Sequence, residues 1–288
     1  MKMPNNTIKS AKIYFTDELK AIFDASELQQ MMEITFMHYC GFSKIDLMLE
    51  DEKQLSENEL NKIIDVVREL KYKKPLAYIL GEWEFYGLNF KVNEFTLIPR
   101  PETEELVDLI LKENNQKQKI LDIGTGTGCI PIALKVTNKL FEISACDISL
   151  DALTIAKLNA KNNKVDVNFF ECDILAERDK ITNDKYDLIV SNPPYITNKE
   201  KSLIDVNVLD YEPHLALFVE DNSPLLFYDA ISDFAKYNLK SGGKLYFEIN
   251  EHYGKETAEL LAHKGFHNVD IINDINDKNR IIKAQLTY

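Results

Sequence analysis

The feature of the sequence that most constrains the fold is an alternation of short apolar segments and amphipathic segments from about residue 96 onwards. The amphipathic segments carry apolar residues at helical spacing, and the short apolar segments have the length of strands. Strands that alternate with helices predict a mainly parallel sheet with helices on both faces. A turn is predicted at Gly242-Gly243. The predicted strands are residues 119–124, 142–147, 165–170, 186–191 and 244–249.

Two further apolar segments, 268–272 and 281–286, lie near the C-terminus and are separated by only a short connection. A parallel crossover needs about a dozen residues or more, usually with a helix. We therefore predict that these two segments form an antiparallel hairpin at the edge of the sheet.

The first part of the chain has a different character. Residues 10–72 are rich in Glu, Lys, Leu, Ile and Met, with an apolar stripe at helical spacing over 63–70. The following segment contains aromatic and β-branched residues around Gly87, which is typical of a β-hairpin. The predicted parts of the chain are a helical domain at 1–82, a β-hairpin connector at 83–95 and an α/β domain at 96–288.

The charge of the chain limits its partners. The formal net charge is -13 with a pI of about 5.0, and no long block of basic residues offsets it. Binding to a phosphate backbone depends on Lys and Arg, so we expect no direct nucleic-acid partner. The sequence shows no C-x-x-C pair, no signal-peptide core and no membrane-span window. A cytoplasmic monomer without membrane contact is the expectation.

A glycine-rich loop, Asp122-Ile-Gly-Thr-Gly-Thr-Gly128, follows the first predicted strand. Glycines allow a ligand to approach the backbone, and the helix behind the loop directs amide groups at that ligand. The dinucleotide pattern G-x-G-x-x-G would require glycine at position 129 or 131, where Cys129 and Pro131 stand. The G-x-G-x-G pattern is instead that of S-adenosylmethionine (SAM) enzymes, although a plain tight turn would also contain glycines.

Two acidic residues follow the next two predicted strands. Asp147 ends the second strand, at about the distance expected for a carboxylate that binds two ribose hydroxyls. Asp173 follows the third strand, where it could accept a hydrogen bond from the adenine amino group. Each could alternatively cap the next helix. Together with the glycine loop, they predict SAM as the methyl donor and S-adenosylhomocysteine as the product.

The fourth predicted strand ends in Ser191-Asn-Pro-Pro-Tyr195. Methyl transfer from a sulfonium is an in-line displacement, so the main task is to position the nucleophile. An amide or exocyclic amine nitrogen is a poor nucleophile, and acceptors for its N–H groups can direct its lone pair. The Asn192 side-chain oxygen and a backbone carbonyl of the turn are such acceptors. Pro193 and Pro194 stiffen the turn, and Tyr195 offers a ring face to a planar group.

These residues resemble known motifs. Asn192 to Tyr195 resembles the [N/D]-P-P-[Y/F/W] signature of methyltransferases that act on nitrogens attached to a planar system. More narrowly, the chain resembles the HemK/PrmC family, which methylates the glutamine of the Gly-Gly-Gln motif in class I peptide chain release factors. The stretch Ile98-Pro-Arg-Pro-Glu-Thr-Glu104 is the most specific match. The matching segments are 75–81, 85–92, 97–104, 121–128, 147–149, 191–195 and 211–214.

The resemblance implies a fold and a set of roles. The fold is a Rossmann-like class I SAM methyltransferase sheet, mostly parallel, with a small N-terminal helical domain that recognises the release factor. Residues implied to bind SAM are Gly124, Thr125, Gly126, Thr127 and Gly128 around its methionine part, Asp147 at the ribose, Asp173 and Ile174 at the adenine, and Asn192. Residues implied to bind the glutamine are Asn192, Pro193, Pro194 and Tyr195, of which Asn192, Pro193 and Tyr195 are the catalytic set. No metal is implied.

The sequence departs from the family pattern in two places. The family usually has E-x-G-x-x-Q after the fifth strand, where this chain has Glu248, Asn250 and Tyr253. The segment 274–280 lacks the usual glycine. We expect both places to lie away from the pocket and to affect loop geometry more than chemistry.

Two other functions are compatible with parts of this pattern. An adenine or guanine N-methyltransferase acting on DNA or RNA would share the Asn-Pro-Pro-Tyr motif, but the net charge of -13 disfavours it. A SAM-binding scaffold without catalysis is disfavoured because Asn192 and the glycine loop are both intact. We expect a protein glutamine methyltransferase.

Overall fold

The computed structural model describes residues 5–49, 51–177, 181 and 185–287, so the outer limits predicted at residues 1 and 288 lie outside the described part. The chain divides into two compact units. The smaller consists of the described residues up to Gly81 together with Val206–Tyr211, and the larger of the other described residues.

The smaller unit is helical, and local sequence signals define where its helices begin and end. Ser56 and Glu59 form a reciprocal capping box at the start of α4. Gly41 and Gly81 take left-handed backbone conformations directly after α2 and α5, as helix-ending glycines commonly do. Its first five helices are α1 (Ile8–Leu19), α2 (Ala25–Cys40), α3 (Lys44–Leu49), α4 (Glu57–Leu70) and α5 (Leu76–Leu80).

The core of the smaller unit is built around α4. The stripe predicted over residues 63–70 is buried on one face of this helix. It packs with Phe15 of α1 and Phe36 of α2, both fully buried. Burial of each large apolar side chain contributes about 1.5–3 kcal/mol, so this stripe is the main cohesive feature of the unit.

The hairpin predicted around Gly87 is confirmed. Its strands are β1 (Glu82–Phe85) and β2 (Leu88–Lys91), which pair antiparallel. Tyr86 and Gly87 have φ of 52° and 69°, as a two-residue hairpin turn with two positive φ values requires. Phe85 and Phe90 are buried in a core of the larger unit, so the hairpin packs within that unit.

The remaining described residues form the α/β part of the larger unit, apart from α9, which groups with the smaller one. Its elements are α6 (Pro101–Glu113), β3 (Lys119–Ile123), α7 (Cys129–Thr137), β4 (Glu142–Asp147), α8 (Leu150–Asn162), β5 (Asn168–Glu171), β6 (Tyr186–Ser191), β7 (Ile196–Thr197), α9 (Val206–Tyr211), β8 (Phe218–Val219), α10 (Leu226–Asn238), β9 (Leu239–Glu248), α11 (Gly254–His263), β10 (Phe266–Asn273) and β11 (Asn279–Leu286). Two short 3₁₀ helices, Asn198–Leu203 and His214–Ala216, precede and follow α9.

The main sheet has the order β10-β11-β9-β6-β3-β4-β5. The pairs among β5, β4, β3, β6 and β9 are parallel, whereas β11 runs antiparallel to β9 and β10 antiparallel to β11. The prediction of a mostly parallel sheet with an antiparallel C-terminal edge hairpin is confirmed. Strand order reverses at β3, because the chain passes to β4 and β5 on one side and returns to β6 on the other.

Two details of the predicted sheet are wrong. The third strand is Asn168–Glu171 and not 165–170. The Gly242-Gly243 pair is not a turn before the fifth strand, because β9 runs through it with an irregular register against β6. Gly242 has a φ of 80°, and a Cβ on Gly243 would lie 2.8 Å from the Lys240 carbonyl oxygen. This bulge needs glycine for the same reasons as a turn.

Among the described residues, no helix combines the length and the apolar character that crossing a bilayer requires.

Candidate active site

A cavity of about 370 Å³ in the larger unit lies where β3, β4 and β6 end. It is lined by residues from the glycine loop, from the ends of β4 and β5, and from the turn after β6. The predicted site residues that line it are Gly124, Thr125, Gly126, Thr127, Asp147, Asp173, Ile174, Asn192, Pro193 and Pro194. Two predicted residues, Gly128 and Tyr195, are not among those that line this cavity.

The topology explains why these segments meet. β3 and β6 are adjacent parallel strands on the two sides of the strand-order reversal, where open α/β sheets bind ligands. At their ends the Ser191 hydroxyl donates a hydrogen bond to the Ile123 carbonyl oxygen at 2.6 Å. The glycine loop and the Asn-Pro-Pro turn therefore start from neighbouring points.

The glycine loop forms an open cradle. Gly124 and Gly126 have φ of 75° and 55°, and a Cβ added to either would meet no other described atom within 4 Å. The backbone amides of Gly124 and Thr125 donate to the Cys146 carbonyl oxygen at 2.9 and 3.0 Å, which fixes the loop to the end of β4. The loop thus presents exposed backbone to the cavity, as the methionine part of SAM would require.

Gly128 differs from the other loop glycines. Its φ is 79°, and an added Cβ would lie 3.0 Å from Ile132 Cδ1 and 3.2 Å from Ala156 Cβ. Gly128 therefore permits close packing of α7 on α8, whereas Gly124 and Gly126 face the cavity.

Asp147 contacts the glycine loop and stands at the predicted ribose position. Its Oδ2 accepts a hydrogen bond from the Gly126 amide at 2.8 Å, and its Oδ1 accepts one from the Ser149 amide at 2.9 Å. Burial raises the pKa of Asp147, and these backbone donors oppose that shift. Each carboxylate oxygen can accept more than one hydrogen bond, so Asp147 retains the capacity to bind a diol.

Asp173 and Ile174 stand at the predicted adenine side of the cavity. Asp173 Oδ1 accepts from the Leu175 amide at 2.8 Å, and Ile174 is buried. Asp173 thus stabilises a local turn, which resembles the alternative helix-capping role. Its carboxylate also lines the cavity.

Asp122, immediately before the loop, was not predicted as a site residue. Its side chain is fully buried, and neither carboxylate oxygen nor the Thr125 hydroxyl has a hydrogen-bond partner among the described residues. Burial, with the nearby charge of Asp147, raises the pKa of Asp122 to about 7. Thr125 is near enough to oppose this shift, but its geometry falls short of a hydrogen bond. The signal in the sequence is a single acidic residue inside the mainly apolar strand KILDI.

We expect Asp122→Asn to stabilise the protein more at pH 8 than at pH 5. The pKa of Asp122 is raised from 3.8 to about 7, so the folded protein holds a proton that the unfolded chain releases. Its contribution to stability therefore falls as the pH rises between these two values, by about 4 kcal/mol at most. Asparagine resembles the protonated acid and does not titrate.

Thermal unfolding at both pH values measures this effect, with the exposed Asp166→Asn as the matched control. An equal change in melting temperature at pH 5 and pH 8 would contradict the assigned pKa.

Asn192 is connected to two buried residues beside the cavity. Its Nδ2 donates to the Thr103 Oγ1 at 3.3 Å, and the Thr103 hydroxyl donates to Glu248 Oε2 at 2.7 Å. The Tyr195 hydroxyl donates to the other oxygen of Glu248 at 3.1 Å, and its ring packs against the apolar core under the sheet. Tyr195 thus lies beside the cavity-lining residues, and its contact with the glutamine stays a prediction.

Asn250, a departure from the family pattern, lies nearer to the site than expected. Its Nδ2 donates to the Tyr195 carbonyl oxygen at 3.1 Å and to Glu200 Oε1 at 3.0 Å. Tyr253 precedes α11, and its carbonyl oxygen accepts from the Thr257 hydroxyl at 2.7 Å. Asn250 therefore fixes the backbone just after the Asn-Pro-Pro turn, whereas Tyr253 serves the start of a helix.

The IPRPETE stretch lines one side of the cavity through Pro99, Arg100 and Thr103. Arg100 Nη2 donates to Glu212 Oε1 at 2.5 Å, and Glu212 Oε2 accepts from the Ile98 amide at 3.2 Å. Glu212 is buried and comes from the Tyr-Glu-Pro-His segment, so two stretches that matched the family pattern are joined here.

A seven-stranded, mostly parallel sheet with a glycine loop, a strand-end carboxylate and an Asn-Pro-Pro turn around one cavity defines a class I SAM-dependent methyltransferase. Residues 102–209 match the Methyltransferase small domain, and residues 13–81 match the PrmC N-terminal domain.

Similarity to known proteins identifies the family within this class. The chain is 47% identical to the release factor glutamine methyltransferase of Flavobacterium psychrophilum over 282 residues, which is 96% of this chain and 98% of that protein. It is 40% identical to that of Bacteroides thetaiotaomicron over 271 residues, 94% of this chain and 97% of that protein. The chain belongs to the release factor glutamine methyltransferase family, which confirms the family predicted from the sequence.

The fold itself has counterparts among distant solved structures. The crystal structure of a methyltransferase from Pyrococcus furiosus superposes with a TM-score of 0.53 at 16% identity, covering 81% of this chain and 100% of that chain. At this identity the likeness concerns the fold alone.

Proposed function

We propose that this chain transfers a methyl group from SAM to the side-chain amide nitrogen (N5) of the glutamine in the Gly-Gly-Gln motif of class I release factors. The observation that carries the proposal is that Asn192 and Pro193 line the same cavity as the glycine loop and Asp147. An acceptor for an amide N–H group thus lies beside a cradle that fits the methyl donor.

The residues that would hold SAM are those with open or uncommitted groups facing the cavity. Gly124 and Gly126 leave room for its methionine part, Asp147 retains acceptor capacity for the ribose, and Asp173 with Ile174 lines the adenine side. When bound, SAM supplies an electrophilic methyl: the amide nitrogen forms the new N–C bond, the C–S electron pair stays on sulfur in S-adenosylhomocysteine, and one amide proton passes to water.

The chain's own contribution is to orient the amide. The Asn192 Oδ1 and the Pro193 carbonyl oxygen would accept its two N–H groups, which directs the nitrogen lone pair away from them. Two fixed acceptors favour the positive charge that develops on nitrogen, and this electrostatic term is commonly the largest in catalysis. Pro193 and Pro194 restrict the backbone of the turn, so the acceptors need little reorganisation.

We also propose that the helical part of the chain, residues 1–82, recognises the release factor, while 96–288 carries the chemistry. The match of residues 13–81 to the PrmC N-terminal domain supports this division. The net charge of -13 suits a protein partner better than a nucleic acid.

The test uses SAM labelled in its methyl group. The protein is incubated with a class I release factor, with the same factor in which leucine replaces the Gly-Gly-Gln glutamine, and with DNA or RNA. We expect label on the first substrate only. A variant that replaces a different surface glutamine of the release factor is the control.

If label appeared equally on the release factor and on its leucine variant, the Gly-Gly-Gln glutamine would not be the methylated residue. Label on nucleic acid alone would support the base-methylating alternative instead.

A further inference from the structure

A chain of buried hydrogen bonds lies behind Asn192. It runs from the Asn192 Nδ2 to Thr103 Oγ1 and from the Thr103 hydroxyl to Glu248 Oε2, at 3.3 and 2.7 Å. Thr103 and Glu248 are 3% and 1% exposed, so water does not compete for these bonds. Thr103 lies in the first turn of α6, and Glu248 is the last residue of β9.

The chemistry of these groups fixes the direction of each bond. An ionised carboxylate can only accept, and the two oxygens of Glu248 face the hydroxyls of Thr103 and Tyr195. The single hydrogen of the Thr103 hydroxyl is therefore used on Glu248. What Thr103 offers to Asn192 is an oxygen lone pair, which attracts an NH₂ group and repels a carbonyl oxygen.

An asparagine side chain can rotate by 180° and exchange its oxygen with its nitrogen at little intrinsic cost. Here the rotated form would place Oδ1 against the Thr103 oxygen, with no hydrogen between them. The form that keeps Nδ2 on Thr103 leaves Oδ1 as the free end of the Asn192 side chain.

We propose that Thr103 and Glu248 are positioning residues that hold the Asn192 amide in the one orientation that presents its oxygen to the substrate nitrogen. The proposal rests on the proposed function, in which Asn192 Oδ1 accepts from the glutamine amide. The proposal gives a role to the threonine of the IPRPETE stretch. In this role, neither Thr103 nor Glu248 needs to touch the reacting atoms.

The surroundings of Glu248 support its acceptor role. Burial raises the pKa of Glu248 overall, and the hydrogen bonds from Thr103 and Tyr195 and the nearby charge of Arg280 oppose that shift. Arg280 is held by the buried Asp274, whose Oδ2 lies 3.1 Å from Arg280 Nε. A positive charge fixed close to Glu248 favours the ionised form, in which both oxygens accept.

Thr103→Val and Thr103→Ser form the matched pair for the test. Valine keeps the shape of threonine and removes the hydroxyl, whereas serine keeps the hydroxyl and removes the methyl group. Each variant is assayed in the full chain for kcat, KM for the release factor and Kd for SAM, and its thermal unfolding is recorded. Thr103→Ala repeats the loss of the hydroxyl without a branched side chain, in case the valine variant does not fold.

We expect Thr103→Val and Thr103→Ala to lower kcat by about 10- to 100-fold, because a misoriented group costs rate and not ground-state binding. Thr103→Ser should stay within about threefold of the wild type, and SAM Kd should stay within about threefold in all variants. Glu248→Gln should lower kcat by an intermediate factor, because a carboxamide carries a donor as well as an acceptor and no longer dictates the direction of the Thr103 bond.

A valine or alanine variant with wild-type kcat would overturn the proposal, as would a serine variant that loses as much rate as valine. A wild-type kcat in Glu248→Gln would show that Glu248 does not help to orient Asn192. All of these outcomes are compared with a wild-type enzyme that labels the release factor. If the proposed function is wrong, the wild-type enzyme itself does not label the release factor, and this result differs from every outcome above.

Discussion

Asn192→Ala is expected to lower methyl transfer to the release factor by about 10³-fold, while SAM binding changes by no more than a few-fold. Alanine removes the side-chain acceptor for the glutamine N–H group and leaves the backbone of the turn, the glycine loop and Asp147 in place. Transfer is measured with labelled SAM under single-turnover conditions, and SAM affinity by calorimetry.

The control for this variant is Asn198→Ala, on the 3₁₀ helix that follows the same turn. Asn198 bonds to Glu220 at an exposed position, so its loss should leave the rate unchanged. Asn192 was predicted to contact both SAM and the glutamine. A loss of SAM affinity as large as the loss of rate would make Asn192 mainly a cofactor residue and would contradict its assignment to the nucleophile.

The parts of the site that the sequence predicts are those defined by local signals. Gly124 and Gly126 follow a strand and precede a helix, and each sits at a position where a left-handed backbone requires glycine. Asp147 ends β4 and Asn192 follows β6, the two parallel strands that flank β3, so the βα alternation alone brings them to one edge of the sheet. The local sequence pattern and the strand topology together therefore predict where the cavity lies.

What the sequence did not predict depends on contacts between distant segments. Thr103 and Glu248 are 145 residues apart, and their hydrogen bond exists only because α6 packs beside the end of β9. No periodic pattern in the sequence predicts a contact between two residues so far apart in the chain. For the same reason the sequence predicts only an effect of Asn250 on loop geometry, although Asn250 bonds to the Tyr195 carbonyl oxygen across 55 residues.

Burial is the other property that a pattern alone conveys poorly. Asp122 and Asp147 are both acidic residues near strand ends, yet Asp122 is fully enclosed and Asp147 has two backbone donors. The difference arises because Asp122 lies inside β3, whereas Asp147 is the last residue of β4 and lines the cavity. It explains why one carboxylate holds a proton near neutral pH and the other serves as an acceptor.

The glycine loop shows how one motif can combine two tasks, and two alanine variants should separate them. Gly128→Ala should destabilise the fold by about 2–5 kcal/mol, from left-handed strain of about 1–2 kcal/mol and from overpacking. Its Cβ would press on Ile132 Cδ1 and Ala156 Cβ, at 3.0 and 3.2 Å. Chemical denaturation measures this loss.

Gly124→Ala carries similar backbone strain, since its φ of 75° is close to the 79° of Gly128. Its Cβ, however, would enter the cavity, where no described neighbour lies within 4 Å. The expected result is a fall in stability of only about 1–2 kcal/mol with a SAM Kd raised at least about tenfold. A crossed outcome, in which Gly124→Ala unfolds the protein and Gly128→Ala mainly weakens SAM binding, would show that the loop faces the cavity differently.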